Sequence, residues 1–150
     1  MLSTEWRNGF EDISHALMIR RKVFIEEMRE PENVEMDGLD EASMHIVLYD
    51  DGIPVASGRV LWDDGQFRLG HIAVLPAYRG QKFGDFIVRL MIRKAYESGG
   101  QSQLVEARAN AVGFYERLGF VPQGEAYGYP SIPGLIITPM VHHGDIFCYC

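Results

Sequence analysis

Arg79, Gly80, Gln81, Lys82 and Gly84 follow the apolar run Ile72, Ala73, Val74 and Leu75 within GHIAVLPAYRGQKFG, residues 70 to 84. Glycines and cations where a strand gives way to a helix can hold a phosphate. A helix start exposes unpaired backbone N–H groups and the positive end of the helix dipole, and glycine lets a polyanion approach the main chain closely. Pro76 ends strand pairing, and residues 86 to 95 continue with helical periodicity. Arg79 and Lys82 add positive charge. The plain alternative is an ordinary helix opening on a solvated surface. Neither common nucleotide loop is present: no G-x-x-x-x-G-K-[ST] occurs, and no G-x-G-x-x-G follows a strand, which argues against P-loop NTPases and dinucleotide-binding enzymes.

A second set lies at Asn110, Ala111, Phe114, Tyr115, Gly119 and Phe120. Ala111, Phe114, Tyr115 and Leu118 recur at helical intervals on one face, and Gly119 stands where a left-handed residue should end that helix. On spacing alone this is also compatible with an amphipathic helix that buries a tyrosine.

Together the two segments resemble the GNAT family of N-acetyltransferases. The family's acyl-CoA loop reads [RQ]-x-x-G-x-[GA] after a strand ending in V-x-P, and its later signature reads A-x-x-F-Y-x-x-x-G-F. Lys82 departs from the pattern by replacing the loop's first glycine. Ile19 to Met28, read I-R-R-K-V-F-I-E-E-M, and Asp37, Asp40 and His45 further resemble the family's ElaA-like and YjcF-like branch, with Met28 in place of Gln. The resemblance covers about residues 5 to 128 and leaves the tail outside.

The resemblance implies an acetyl-CoA-dependent enzyme that moves the acetyl group directly to an amine of a small molecule or peptide, with no covalent enzyme intermediate. Ile72, Ala73 and Val74 would pair with the pantetheine arm, the Arg79, Gly80, Gln81, Lys82, Phe83 and Gly84 segment would hold the pyrophosphate through its amides, and Asn110 and Phe114 would border the cofactor. Tyr115 would protonate the departing thiolate; a phenol near 10 suits a thiol of about 8.5 to 10. The amine, of pKa roughly 9 to 10, must lose a proton before it attacks. His71 and Glu27 are the candidate bases, with Glu26, Glu27 and His45 bordering the acceptor. A non-catalytic acyl-CoA sensor and a generic interaction domain are the rival readings.

The elements that must position these residues follow from periodicity. Ile13, Ala16, Leu17, Phe24 and Met28 mark one face of a first helix, interrupted by Arg20 and closed by Pro31. Residues 44 to 50, 53 to 62 and 66 to 74 read as three antiparallel strands, joined by Asp51-Gly52 and Asp64-Gly65 turns. A helix over 86 to 95, a strand over 103 to 107, a helix over 111 to 118 and strands over 120 to 125 and 135 to 141 complete the order, with Pro139 arguing for an edge position in the last. The expected class is α/β (α+β): a mixed, mostly antiparallel central sheet with helices packed on both faces.

The 150 residues suit one domain, with the tail from about 142 unassigned. No apolar run approaches the roughly 20 residues of a membrane span and no signal sequence is visible, so a cytoplasmic protein without a membrane partner is expected. Cys148 and Cys150 read as reduced thiols, and no metal site is expected. Ile146, Phe147 and Tyr149 would pack on a second subunit in a homodimer, or fray. The net charge is -7, and residues 26 to 41 contain eight acids and Arg29 alone. This argues against nucleic acid and favours a cationic acceptor, unless the acids form a simple solvated loop.

Overall fold

Strand β1 (Leu2–Asn8) opens the computed structural model, which describes residues 1 to 146. Helix α1 (Ser14–Arg20) follows and widens into a π-helical continuation over Arg21–Glu27. After the single turn α2 (Glu32–Glu35) come β2 (Ser43–Asp50), β3 (Ile53–Asp63) and β4 (Gln66–Val74). A 3-10 turn at Pro76–Tyr78 leads to α3 (Phe83–Glu97), β5 (Ser102–Arg108), a second 3-10 turn at Ala109–Ala111 and α4 (Val112–Arg117). Two short strands, β6 (Val121–Pro122) and β7 (Tyr127–Gly128), precede β8 (Ile136–His143).

The strands form one sheet in the order β1-β2-β3-β4-β5-β8-β6, with β7 also on β8. Among the described residues only β4 and β5 run parallel. Alternation along β2 sets up two cores, because successive side chains point to opposite faces. Ile46 and Leu48 meet Ile87, Val88 and Met91 of α3 on one face, while Val47 packs with Ala16, Ile19 and Phe24 of the first helix on the other. The sheet is therefore mixed, mostly antiparallel and covered by helices on both faces.

Four features differ from the sequence reading. Strand β1 has little apolar alternation and is mostly exposed; backbone pairing with β2 over its whole length defines it. The strand read at 120 to 125 shrinks to two residues. Pro139 lies within a strand that is flanked on both sides, but its carbonyl accepts from Gln123 N–H at 2.8 Å. Since the N and C=O of one residue face the same side of a strand, the missing N–H lies away from β5, in the gap between β6 and β7. Ile146 packs into the α3-side core, while Phe147, Cys148, Tyr149 and Cys150 lie outside the described residues.

Candidate functional site

β4 and β5 pair over only three residues each, Phe67 to Leu69 against Gln103 to Val105, and then part. The cause lies on the other edge of β4. Ser57 pairs with Ala73 and Arg59 with Gly70, so Gly58 alone faces both His71 and Ile72. This is a β-bulge, with His71 in the left-handed region at φ 50°; a bulge bends its strand and increases its twist. A Cβ on Gly58 would overlap the Met91 sulfur of α3, so a larger residue beneath the bulge would need that side chain to move.

The parting strands enclose a cleft of about 570 Å³, within the range of small-molecule sites. His71 and Ile72 line one wall, Arg108, Ala111, Phe114 and Tyr115 the other, and Glu30, Glu35 and Asp37 close one end. The Tyr115 ring is fixed edge-on by Phe114 at 5.0 Å and Phe120 at 5.4 Å between centroids. Burial pushes its phenol up to about 12, against a smaller opposing effect of Arg108. Its proton therefore stays on the phenol at neutral pH. Gly119, at φ 95°, ends α4 as expected, and Phe120 N–H bonds back to Tyr115 C=O at 3.1 Å.

The start of α3 adjoins this cleft: a Cβ on Gly84 would lie 3.9 Å from both Phe114 and Val74. No side chain caps the helix, and Lys82 stands at its N-cap with φ 64°. That conformation explains why a glycine is usual at this position, and a lysine there costs roughly 1 to 2 kcal/mol of local strain. Gly80, at φ 85°, makes the turn, and Gly80, Gln81 and Lys82 are all exposed. Phe83 and Ala73 point into the core, which leaves only their backbone for a ligand. Arg79 is committed elsewhere, donating to Val74 C=O at 3.0 Å and through both terminal nitrogens to Glu27 at 2.6 and 2.7 Å. Its guanidinium fastens the loop to the first helix instead of adding charge to it.

That contact also removes Glu27 from the cleft, and its hydrogen bonds from Arg79 hold the carboxyl below its ordinary value. Glu26 is exposed and does not line the cleft. Asn110 is likewise exposed beside it. His45 is 1% exposed and lies beneath the start of α1, in a separate depression with Arg7 and Tyr49. Burial lowers its pKa despite a hydrogen bond to Asp40 C=O. Of the proposed bases and acceptor contacts, the structure brings only His71 to the cleft.

The acidic segment has a different role from the one its charge suggested. Arg20, which broke the apolar stripe, is 1% exposed and bonds Glu35 at 2.6 Å and Asp40 at 2.7 Å. Arg59 holds Asp37 through two 2.8 Å bonds and reaches Asp40 at 3.1 Å. Arg108 pairs with Glu30, and Arg21 with Glu32. With Glu27 on Arg79, six of the eight acids are matched by arginines from outside the segment, so little net charge faces a ligand. Burial opposes ionisation of Asp37, but the bonds from Arg59 and from the Leu39 N–H outweigh it and its pKa is lowered. Sequence reasoning identified the acids but not Arg59 or Arg108 as their partners; the lone polar residue in the helical stripe was the only local sign of the network. Among the described residues no cluster of three or more His, Cys, Asp or Glu could hold a metal ion, and no helix is long and apolar enough to cross a membrane.

Residues 41–122 match the family model described as acetyltransferase (GNAT) domain. The chain is 34% identical over 110 residues to the uncharacterised N-acetyltransferase YjcF of Bacillus subtilis, covering 73% of this chain and 79% of that protein. Its fold is similar to that of Escherichia coli ElaA, with a TM-score of 0.84, 24% identity and coverage of 95% and 100% of the two chains. A GNAT family acetyltransferase from Elizabethkingia anophelis, solved with acetyl-CoA bound, aligns with a TM-score of 0.71 at 11% identity, covering 95% of this chain and 97% of that one.

Proposed function

Because this chain belongs to the GNAT acetyltransferase family and is an acyltransferase, we propose that it uses acetyl-CoA to acetylate a primary amine of a small molecule or peptide end. The observation that carries this reading is the parting of β4 and β5 around Tyr115, beside the uncapped start of α3. In this reading the free edge of β4 at Ile72 and Val74 receives the pantetheine amides as an added strand would be received, and the amides from Gly80 to Gly84 receive the pyrophosphate. Acetyl-CoA supplies the thioester.

The protein's own groups then handle protons. An ammonium loses two protons in becoming an amide: one must go to a base before attack, and loss of the second balances the proton that Tyr115 gives to sulfur as the C–S bond breaks. His71 is the base in this scheme, since imidazole titrates near neutrality and this one lines the cleft. The balanced charge of Glu30 with Arg108 and Asp37 with Arg59 favours no polycation, so amines with neutral bodies should serve at least as well as polyamines.

The test is mass spectrometry of an amine panel incubated with enzyme and acetyl-CoA, with free thiol counted in parallel. Equal amounts of N-acetyl product and thiol support the reading. Thiol release without product from any amine overturns amine transfer, and polyamines far exceeding all others would overturn the charge argument.

A further inference from the structure

Glu35 is 4% exposed at the end of α2, yet its Oε1 accepts both Arg20 Nε at 2.6 Å and His71 Nδ1 at 2.7 Å. Arg20 also donates to the Glu35 carbonyl at 2.7 Å, which fixes the residue by backbone and side chain together. We infer that Glu35, anchored by Arg20, is the positioning residue that sets the tautomer and orientation of His71, making Arg20, Glu35 and His71 a relay for deprotonating the acceptor amine. The inference rests on the acetyltransferase reading above and deepens it.

The chemistry follows from the donor inventory. A carboxylate has only acceptors to offer, so Nδ1 must carry the proton of a neutral His71, and Nε2 is left with its lone pair. Nε2 is 3.5 Å from Asp37 Oδ2, too long for a good hydrogen bond. When Nε2 takes an ammonium proton, the imidazolium forms between two carboxylates, Glu35 and Asp37, which are themselves held by Arg20 and Arg59. Phe24 stands edge-on to the ring at 6.4 Å, limiting its rotation, and the Glu30 and Arg108 pair lies in the same cleft. The left-handed φ of His71 belongs to the same device, since the bulge places this residue out of the regular alternation of β4.

The experiment combines two readouts on the full chain labelled with 15N-histidine. Long-range 1H–15N correlation at pH 8, assigned by the signal lost in His71→Gln, should show His71 protonated at Nδ1. An Nε2–H tautomer would overturn the relay whether or not an acceptor amine has been found. With an accepted amine, Glu35→Gln should lower kcat roughly 10- to 100-fold, leave the acetyl-CoA dissociation constant within about twofold and move the acid limb of kcat/KM to lower pH. Glu35→Asp should recover part of the loss. A Glu35→Gln pH profile that overlays the parent's would also overturn the inference. If no amine is turned over, the proposed function fails on that assay, while the tautomer still decides the positioning claim.

Discussion

The two sides of the cleft are built from different parts of the chain. On the α3 side, the candidate ligand contacts are backbone groups from one short segment, residues 72 to 84, whose side chains enter the core, extend into solvent or, at Arg79, tie the loop to the first helix. On the α2 side the contacts are side chains, and Arg20, Glu35, Asp37, Arg59 and His71 come from five separate elements or loops. A site made of main chain needs only the right turn, so it tolerates a lysine at Lys82. A site made of buried ion pairs needs every partner, because a charge left alone in the interior is costly.

The sharpest way to break this comparison is Arg20→Met. It leaves Glu35 buried without its cation, so equilibrium denaturation should show a loss of about 3 to 5 kcal/mol. A change under about 1 kcal/mol would mean that the network is dispensable. Tyr115→Phe should next lower turnover by roughly ten- to a thousandfold with acetyl-CoA binding intact, as lost acid catalysis would; an unchanged rate would take the phenol out of the mechanism.

Acidification tests the ion network more gently. Burial lowers the pKa of His45 and His142 below the ordinary imidazole value, and the net effect on Asp37 and Asp40 is also a lowering. In each case the unfolded chain binds protons first, so stability rises with pH across these windows. Urea titrations should give a plateau above about pH 6.5, a decline below it from the histidines, and a steeper decline below about pH 4 as the carboxylates protonate. Stability that increased on acidification would contradict these assignments.

The smallest effects belong to the backbone side. Lys82→Gly relieves a left-handed φ of 64°, so stability should rise by up to about 1 kcal/mol and the acetyl-CoA dissociation constant should change by less than roughly tenfold. Abolished binding would instead make the lysine an essential contact. Glu27→Gln should leave turnover within about twofold, because an exposed pair with Arg79 contributes little; a collapse in rate would restore Glu27 as the base.

What was legible in the sequence divides along the same line. Strand, turn and helix were read over residues 66 to 95 because hydrophobic period, proline and glycine act locally, and Gly119 was read as a cap for the same reason. Glu26, Glu27 and His45 were read as bordering the acceptor from the family resemblance, and the acids of residues 26 to 41 as a field for a cation because they were visible as a run, whereas the arginines that match six of them are scattered from Arg20 to Arg108. Long-range pairing has no local period. Nor has the bulge at His71, where Gly58 of β3 stands opposite two residues of β4 and the cleft opens. Strand β1 was missed because its place depends on hydrogen bonds to β2 and not on burial.

The most direct test of the account is calorimetric titration of the purified protein with acetyl-CoA, alongside Tyr115→Phe and Lys82→Gly. Saturable binding in the micromolar range by all three, within roughly tenfold of one another, is the predicted result, because the contacts are assigned to main chain. No binding to the parent protein at millimolar acetyl-CoA would contradict the assignment of this cleft to acetyl-CoA.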